Sequence, residues 1–322
     1  MKLFRQLTAI LLIVLVFVGF DVSVYNLFTK RYINDTSEQM QAKSIELDRY
    51  LPFEEDSEVV RVETDFRLTE NLPVIDGAAA LYPVFSGFVN AVYPPDSVIF
   101  DGENFTPESA LHYTNTLKAY QAVVDGTADI IFCAEPSQQQ LDYAREQGIE
   151  LEFVPIGHEA FVFIVSNDNP VDSLTVEQIQ GMYSGKYTNW SEVGGDRSVI
   201  DPVQRIEGSG SQSVMMSFMG DTPMKKNPFG FMGRAIGFSF RYYVSGIVAN
   251  GGVKMLSVNG VYPDKENISS GKYPVTVDFY AVYRKDNTNP NVKALTDWIL
   301  SDDGQEIVEK SGYIPLQQEQ VK

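Results

Sequence analysis

The sequence predicts an α/β protein of two lobes that share two crossing strands, preceded by an N-terminal apolar helix. From Leu72 onward, apolar strand-like runs alternate with turns and amphipathic helices, the pattern of βαβ units around a parallel sheet. Two long stretches rich in β-branched and aromatic residues, 153–166 and 273–285, bracket roughly 110 residues and read as crossings between lobes. A chain of 322 residues suits two lobes of roughly 100–150 residues each.

Taken in order, the first element is a targeting segment. Lys2 and Arg5 precede the apolar run Leu7–Phe20, a charge placement that puts the start inside and the remainder outside the membrane. The stretch continues through "DVSVYNLF" to Phe28, and about 20 residues span a bilayer. Residues 1–29 are therefore expected to be a signal peptide or an anchor, with the uncleaved anchor favoured. The protein would then sit on the outer face of the membrane, or be secreted if the leader is cut.

Residues 35–70 hold eleven acids and four bases, so 30–70 is expected to be an acidic spacer with little apolar surface to bury, with "VVRVETDFRL" open to a short strand. "LPVID" then reads as a strand, and Val84, Phe85, Phe88, Val89 and Val92 share one face of the helix after it. Helix 116–125 leads into a buried strand at "ADIIFCA". Beyond the first crossing come a helix capped by Ser173 or Thr175, a strand over 199–206, and the loop "EGSGSQS" opening another helix. The C-terminal region reads as helix, turn, helix and an extended tail. Expected lobes are 71–158 with 280–322, and 159–279.

The balance of 43 Asp and Glu against 25 Lys and Arg leaves a formal charge of −18, opposite to the basic footprint of a nucleic-acid binder. One cysteine, Cys133, excludes an internal disulfide, and two histidines 46 positions apart, His112 and His158, argue against a metal centre. Neither histidine falls in a catalytic motif that would activate Ser209 or Ser211. No enzymatic activity and no cofactor are expected.

Helix starts expose unpaired N–H groups and attract anions, and two stand out here. The first is Gly77–Leu81. The second is Gly208–Gln212, with Arg205 at a strand end and hydroxyls on Ser209 and Ser211; a guanidinium can grip two oxygens of a tetrahedral anion. Ordinary alternatives are that Ser211 caps the helix and Arg205 pairs with Glu207. Glu135 follows a buried strand, where α/β proteins gather ligand groups, or else serves as a solvated loop acid.

Together "DGAAALYPVFSGF", "GTADIIFCAEPS", "YSGKYTNWSEVGG", "RIEGSGSQS" and "SGYIPL" resemble the phosphate-binding proteins of bacterial ABC importers, in the type II periplasmic-binding-protein superfamily, over roughly residues 70–317. The resemblance implies a monomer that closes on phosphate or a related oxyanion and passes it to an importer permease. It implies ligand contacts from Arg205, Ser209, Gly210 and Ser211, with Ser211 replacing the family threonine, and from Glu135, standing for an aspartate that accepts the ligand's proton. Glutamate sets the carboxylate back by about 1.5 Å. Where relatives read Asp-Gly-Ser-Ser-Thr, this chain has Asp76-Gly77-Ala78-Ala79-Ala80, so only the N–H groups of Ala79, Ala80 and Leu81 remain. Each lost hydroxyl contact is worth about 1.5–3 kcal/mol, and Thr116 is the residue expected to compensate. An alternative is a membrane-anchored sensor or accessory domain of the same fold with altered or lost phosphate binding.

Overall fold

The computed structural model describes residues 45–247 and 252–316. The apolar leader lies outside them, and among the described residues no helix is long and apolar enough to cross a membrane.

Strand β1 (Ile75–Gly77) leads through a short 3₁₀ turn, Ala79–Leu81, into helix α1 (Tyr82–Val92). Helix α2 (Asn115–Asp125) precedes β2 (Ile130–Cys133), and α3 (Gln138–Glu146) follows it. The Ser137 hydroxyl and Gln140 form a reciprocal capping box at the start of α3, which satisfies two orphan N–H groups. β1 and β2 pair in parallel, Ile75 opposite Ile130, as the βαβ pattern predicts.

The long strand β3 (Leu151–Ser166) is the spine. Beyond it lie β4 (Ser173–Leu174), α4 (Val176–Tyr183), β5 (Ile200–Pro202), α5 (Gly210–Met219), β6 (Arg234–Phe240), β7 (Val253–Met255), β8 (Ser257–Val258) and α6 (Lys265–Ser269). Strand β9 (Thr276–Arg284) then returns to the first lobe, followed by α7 (Pro290–Ile299) and α8 (Asp302–Lys310). The sheet order is β1-β2-β9-β3-β6-β5, with β7 also on β3, while β4 and β8 form a small separate pair.

β3 pairs with β9 over Leu151–Ala160 and with β6 over Phe161–Val165, so the two halves of the sheet change over at Ala160 and Phe161. β9 enters antiparallel to both β2 and β3. The parallel sheet expected from sequence is thus mixed, because the returning strand runs against its neighbours. The strand expected over 199–206 is only Ile200–Pro202; beyond it the chain turns toward α5.

At the crossover Glu159 is buried and paired with Arg241, Nε to Oε1 at 3.0 Å. Burial raises the Glu159 pKa and the guanidinium opposes this. Arg241 Nη2 also donates to the Gly312 carbonyl at 2.6 Å, tying the second lobe to the C-terminal tail. That tail pairs Ile314 with His158 of β3.

Each lobe has an aromatic interior. Phe85 stacks on Phe132 at 5.6 Å in the first, and Phe161, Phe163, Phe238 and Phe240 cluster in the second. A buried side chain of this size contributes about 1.5–3 kcal/mol.

The expected free spacer is corrected for residues 45–68. Ile45, Tyr50, Leu51, Val59 and Leu68 are buried, Phe66 stacks on Trp298 at 5.8 Å, and Leu68 N–H bonds the Val92 carbonyl. The cause is a period-two pattern within "VVRVETDFRL": Val60, Val62, Thr64 and Phe66 turn inward while Arg61, Glu63, Asp65 and Arg67 face solvent. The segment is a strap on the first lobe, its apolar side chains turned inward despite the acidic total.

A candidate anion cleft between the lobes

The carboxylate of Asp76, at the C-terminal end of β1, accepts hydrogen bonds from Gly77 N–H at 2.7 Å, Thr114 N–H at 2.8 Å and the Thr114 hydroxyl. Burial raises its pKa while these bonds pull it down. Asp76 therefore anchors the start of α2, where Asn115 takes φ +73°, an uncommon conformation for a residue with a side chain. Gly77 permits the approach: a methyl group there would lie 2.6 Å from the Phe132 carbonyl oxygen.

The alanine loop offers fewer donors than the sequence suggests. Ala78 N–H bonds the Phe132 carbonyl, and Leu81 N–H closes the 3₁₀ turn onto Ala78, so Leu81 is corrected as an anion donor. The Leu81 side chain is buried in the core. Ala79 and Ala80, at the head of the turn, keep N–H groups with no acceptor within it. The Tyr313 hydroxyl donates to the Ala80 carbonyl, which fixes the turn from the C-terminal tail.

In the second lobe Ser209, not Ser211, caps α5, its hydroxyl accepting from Gln212 N–H at 3.3 Å. Gly210 and Ser211 are the first residues of the helix, so their N–H groups have no intrahelical acceptor. Arg205 is held through its backbone, its N–H on Gln212 Oε1 at 2.9 Å. Its Nε is buried without a hydrogen-bond partner among the described residues. Burial lowers the Arg205 pKa, Tyr243 works against that, and Glu207 has no part in it. The pairing with Glu207 does not form.

The loops of the two lobes meet. A methyl group at Gly210 would lie 3.3 Å from Thr116 Oγ1 and 3.9 Å from Ala134 Cβ. Gly208 takes φ +80°, a conformation that favours glycine, and a methyl there would reach Leu117 at 3.0 Å. Gln140 Nε2 donates to the Gly208 carbonyl at 3.3 Å, and Ser217 Oγ to Glu135 Oε2 at 3.3 Å. Thr116, Gly208 and Gly210 are thus brought together, with Ser209 and Ser211 in the same loop. Ala79 and Ala80 sit at the same end of the sheet, because β1 and β2 run parallel and their exit loops emerge side by side. Glu135 engages Ser217.

Sequence reasoning missed Gln140, Ser217 and Tyr243. The Ser137-x-x-Gln140 capping pattern marks the helix start, yet nothing in it foretells a bond to a carbonyl 68 positions away. A cavity of about 630 Å³ is lined by Arg205, Gln212, Met216, Met219, Met224 and Lys226 among others. All of its lining belongs to the second lobe, so it is not the space between the loops.

Two sheet halves with shared strands and amide-rich loop tips brought face to face define a two-lobed binding fold. The chain belongs to the PBP superfamily, whose domain matches residues 75–303. It is 27% identical over 178 residues to the phosphate-binding protein PstS of Borreliella burgdorferi, covering 49% of this chain and 64% of the relative. It is 25% identical over 184 residues to PstS of Bacillus subtilis, covering 53% and 61%. The matched regions thus span under two thirds of these relatives' length. Among solved structures, a substrate-binding protein assigned to a phosphate ABC transporter of Clostridium perfringens, with bound phosphate, has a TM-score of 0.57 at 23% identity, over 80% of this chain and all of that one. A phosphate transport receptor from Vibrio cholerae gives 0.53 at 19%, over 78% and 100%. These likenesses establish the fold.

Proposed function

We propose that this chain is an extracytoplasmic solute-binding protein, held at the outer face of the membrane by its N-terminal segment. It captures phosphate or a similar oxyanion between lobes 71–158 with 280–322 and 159–279, for delivery to an ABC importer permease. The observation that carries the reading is Arg205: a half-buried side chain whose Nε is enclosed without a partner, just ahead in the chain of the open N–H groups of Gly210 and Ser211. A donor enclosed without an acceptor is costly, and a tetrahedral anion supplies both the charge and the acceptors. Thr116, the hydroxyls of Ser209 and Ser211, and the N–H groups of Ala79 and Ala80 complete the site, and Glu135 closes its rim. The names of the relatives, phosphate-binding protein among them, support phosphate over other anions. Binding needs no covalent chemistry; the lobes close and fixed dipoles replace water around the charge.

The hydroxyl-free loop Ala78–Ala80 favours a second reading, a sensor or accessory domain with altered or lost phosphate binding. Isothermal titration with phosphate separates the two. Saturable heat below millimolar ligand supports capture for transport, and no heat at millimolar phosphate supports the alternative.

A further inference from the structure

Gln140 belongs to a first-lobe helix, yet it reaches the second lobe's glycine loop. Its side chain is buried, 4% exposed. Its two ends are assigned by their partners: Oε1 accepts from Ser137 N–H at 2.8 Å, so the amide nitrogen is the end that faces Gly208, at 3.3 Å from the carbonyl oxygen.

That carbonyl matters because of its sign. An oxygen dipole turned toward an anion repels it, while the neighbouring N–H groups of Gly210 and Ser211 attract it. The left-handed backbone at Gly208, φ +80°, orients the peptide so that the oxygen meets Gln140. The same contact brings Gly208 against Leu117 and Gly210 against Thr116.

We infer that Gln140 is a positioning residue for anion capture: its amide latches the Gly208 carbonyl across the cleft, holding the lobes together and the Gly210 and Ser211 N–H groups toward the ligand. The inference rests on the reading of this cleft as an anion site. Gln140 does not touch the anion itself.

Gln140→Glu is the informative change. It keeps an oxygen for Ser137 N–H, so the cap survives, but sets a carboxylate against a carbonyl and removes the donor. Ser137→Ala is the control, losing the cap hydroxyl while leaving the latch. Phosphate titration and dissociation rates would be measured at pH 8 on both variants and the parent, with melting temperatures to verify folding. Small-angle scattering on the ligand-free proteins would read lobe closure without any anion.

The expected result is about 3- to 10-fold weaker phosphate binding in Gln140→Glu, seen mainly as faster release, with a larger ligand-free radius of gyration. Ser137→Ala should melt earlier but bind phosphate as the parent does. Parental affinity and an unchanged radius in Gln140→Glu would overturn the latch, as would an equal loss of affinity in Ser137→Ala. A parent that binds no phosphate overturns the reading of the site instead, and the scattering comparison still decides whether Gln140 holds the lobes.

Discussion

Ser217 Oγ stands 3.3 Å from Glu135 Oε2, a hydrogen bond from the second lobe's helix α5 to the loop after β2. The acid that the resemblance assigns to the ligand's proton accepts this bond between lobes through one carboxylate oxygen. Glu135→Gln retains an oxygen acceptor for Ser217. The expected outcome is an unchanged preference for phosphate over sulfate, measured by competition titration; a marked relaxation would return Glu135 to proton reading.

Arg205 combines burial with an unmet donor, so its removal should separate binding from stability. Arg205→Leu is expected to abolish phosphate-induced thermal stabilisation. The melting temperature of the ligand-free protein should stay the same or rise, because an enclosed donor without an acceptor has been removed. A variant that still gains stability with phosphate would place the anion elsewhere.

The alanine loop gives a gain-of-function test. Ala79 is half-buried at the head of its turn while Ala80 and Leu81 are buried, so the first position has the better access. Ala79→Ser should tighten phosphate binding by about tenfold, the equivalent of one hydrogen bond to a charged ligand. Equal affinity in the two proteins would remove the loop from the site.

Asp278 on β9 meets His158 on β3 at 2.6 Å, joining the two strands near the crossover. The His158 hydrogen bond holds the Asp278 carboxyl below its usual pKa. A depressed carboxylate pKa stabilises the fold above the unfolded value of about 4 and loses that contribution as pH falls through the folded value. Asp278→Asn should therefore lower stability at pH 7 by up to about 1 kcal/mol, the pair being partly exposed. The difference from the parent should shrink below about pH 4 in urea titrations. A gap that stays constant into acid would contradict the linkage.

Local patterns in the sequence revealed the parts governed by local physics. Apolar spacing gave β1, α1, α2 and β2, and of the two caps the sequence offered for α4, Ser173 and Thr175, the structure takes Thr175 through a capping box. The strap at 45–68 was hidden by its acidic total, although the alternation from Val60 to Leu68 was there to be read. The contacts between lobes were not legible: Gln140 with Gly208 and Ser217 with Glu135 join residues 68 and 82 positions apart. Leu81 illustrates a subtler limit, since a helix start exposes N–H groups in general, but a 3₁₀ turn closes one of them onto Ala78. Arg205 was legible as a candidate from its motif, while its buried, unpartnered Nε required the fold.

The most direct measurement is a crystal structure of the full chain grown with phosphate. The account predicts a tetrahedral anion between the Arg205 guanidinium, Thr116 and the N–H groups of Gly210 and Ser211. An empty cleft at saturating phosphate, or an anion bound in the second lobe's cavity without contact to Thr116, Gly210 or Ser211, would contradict it.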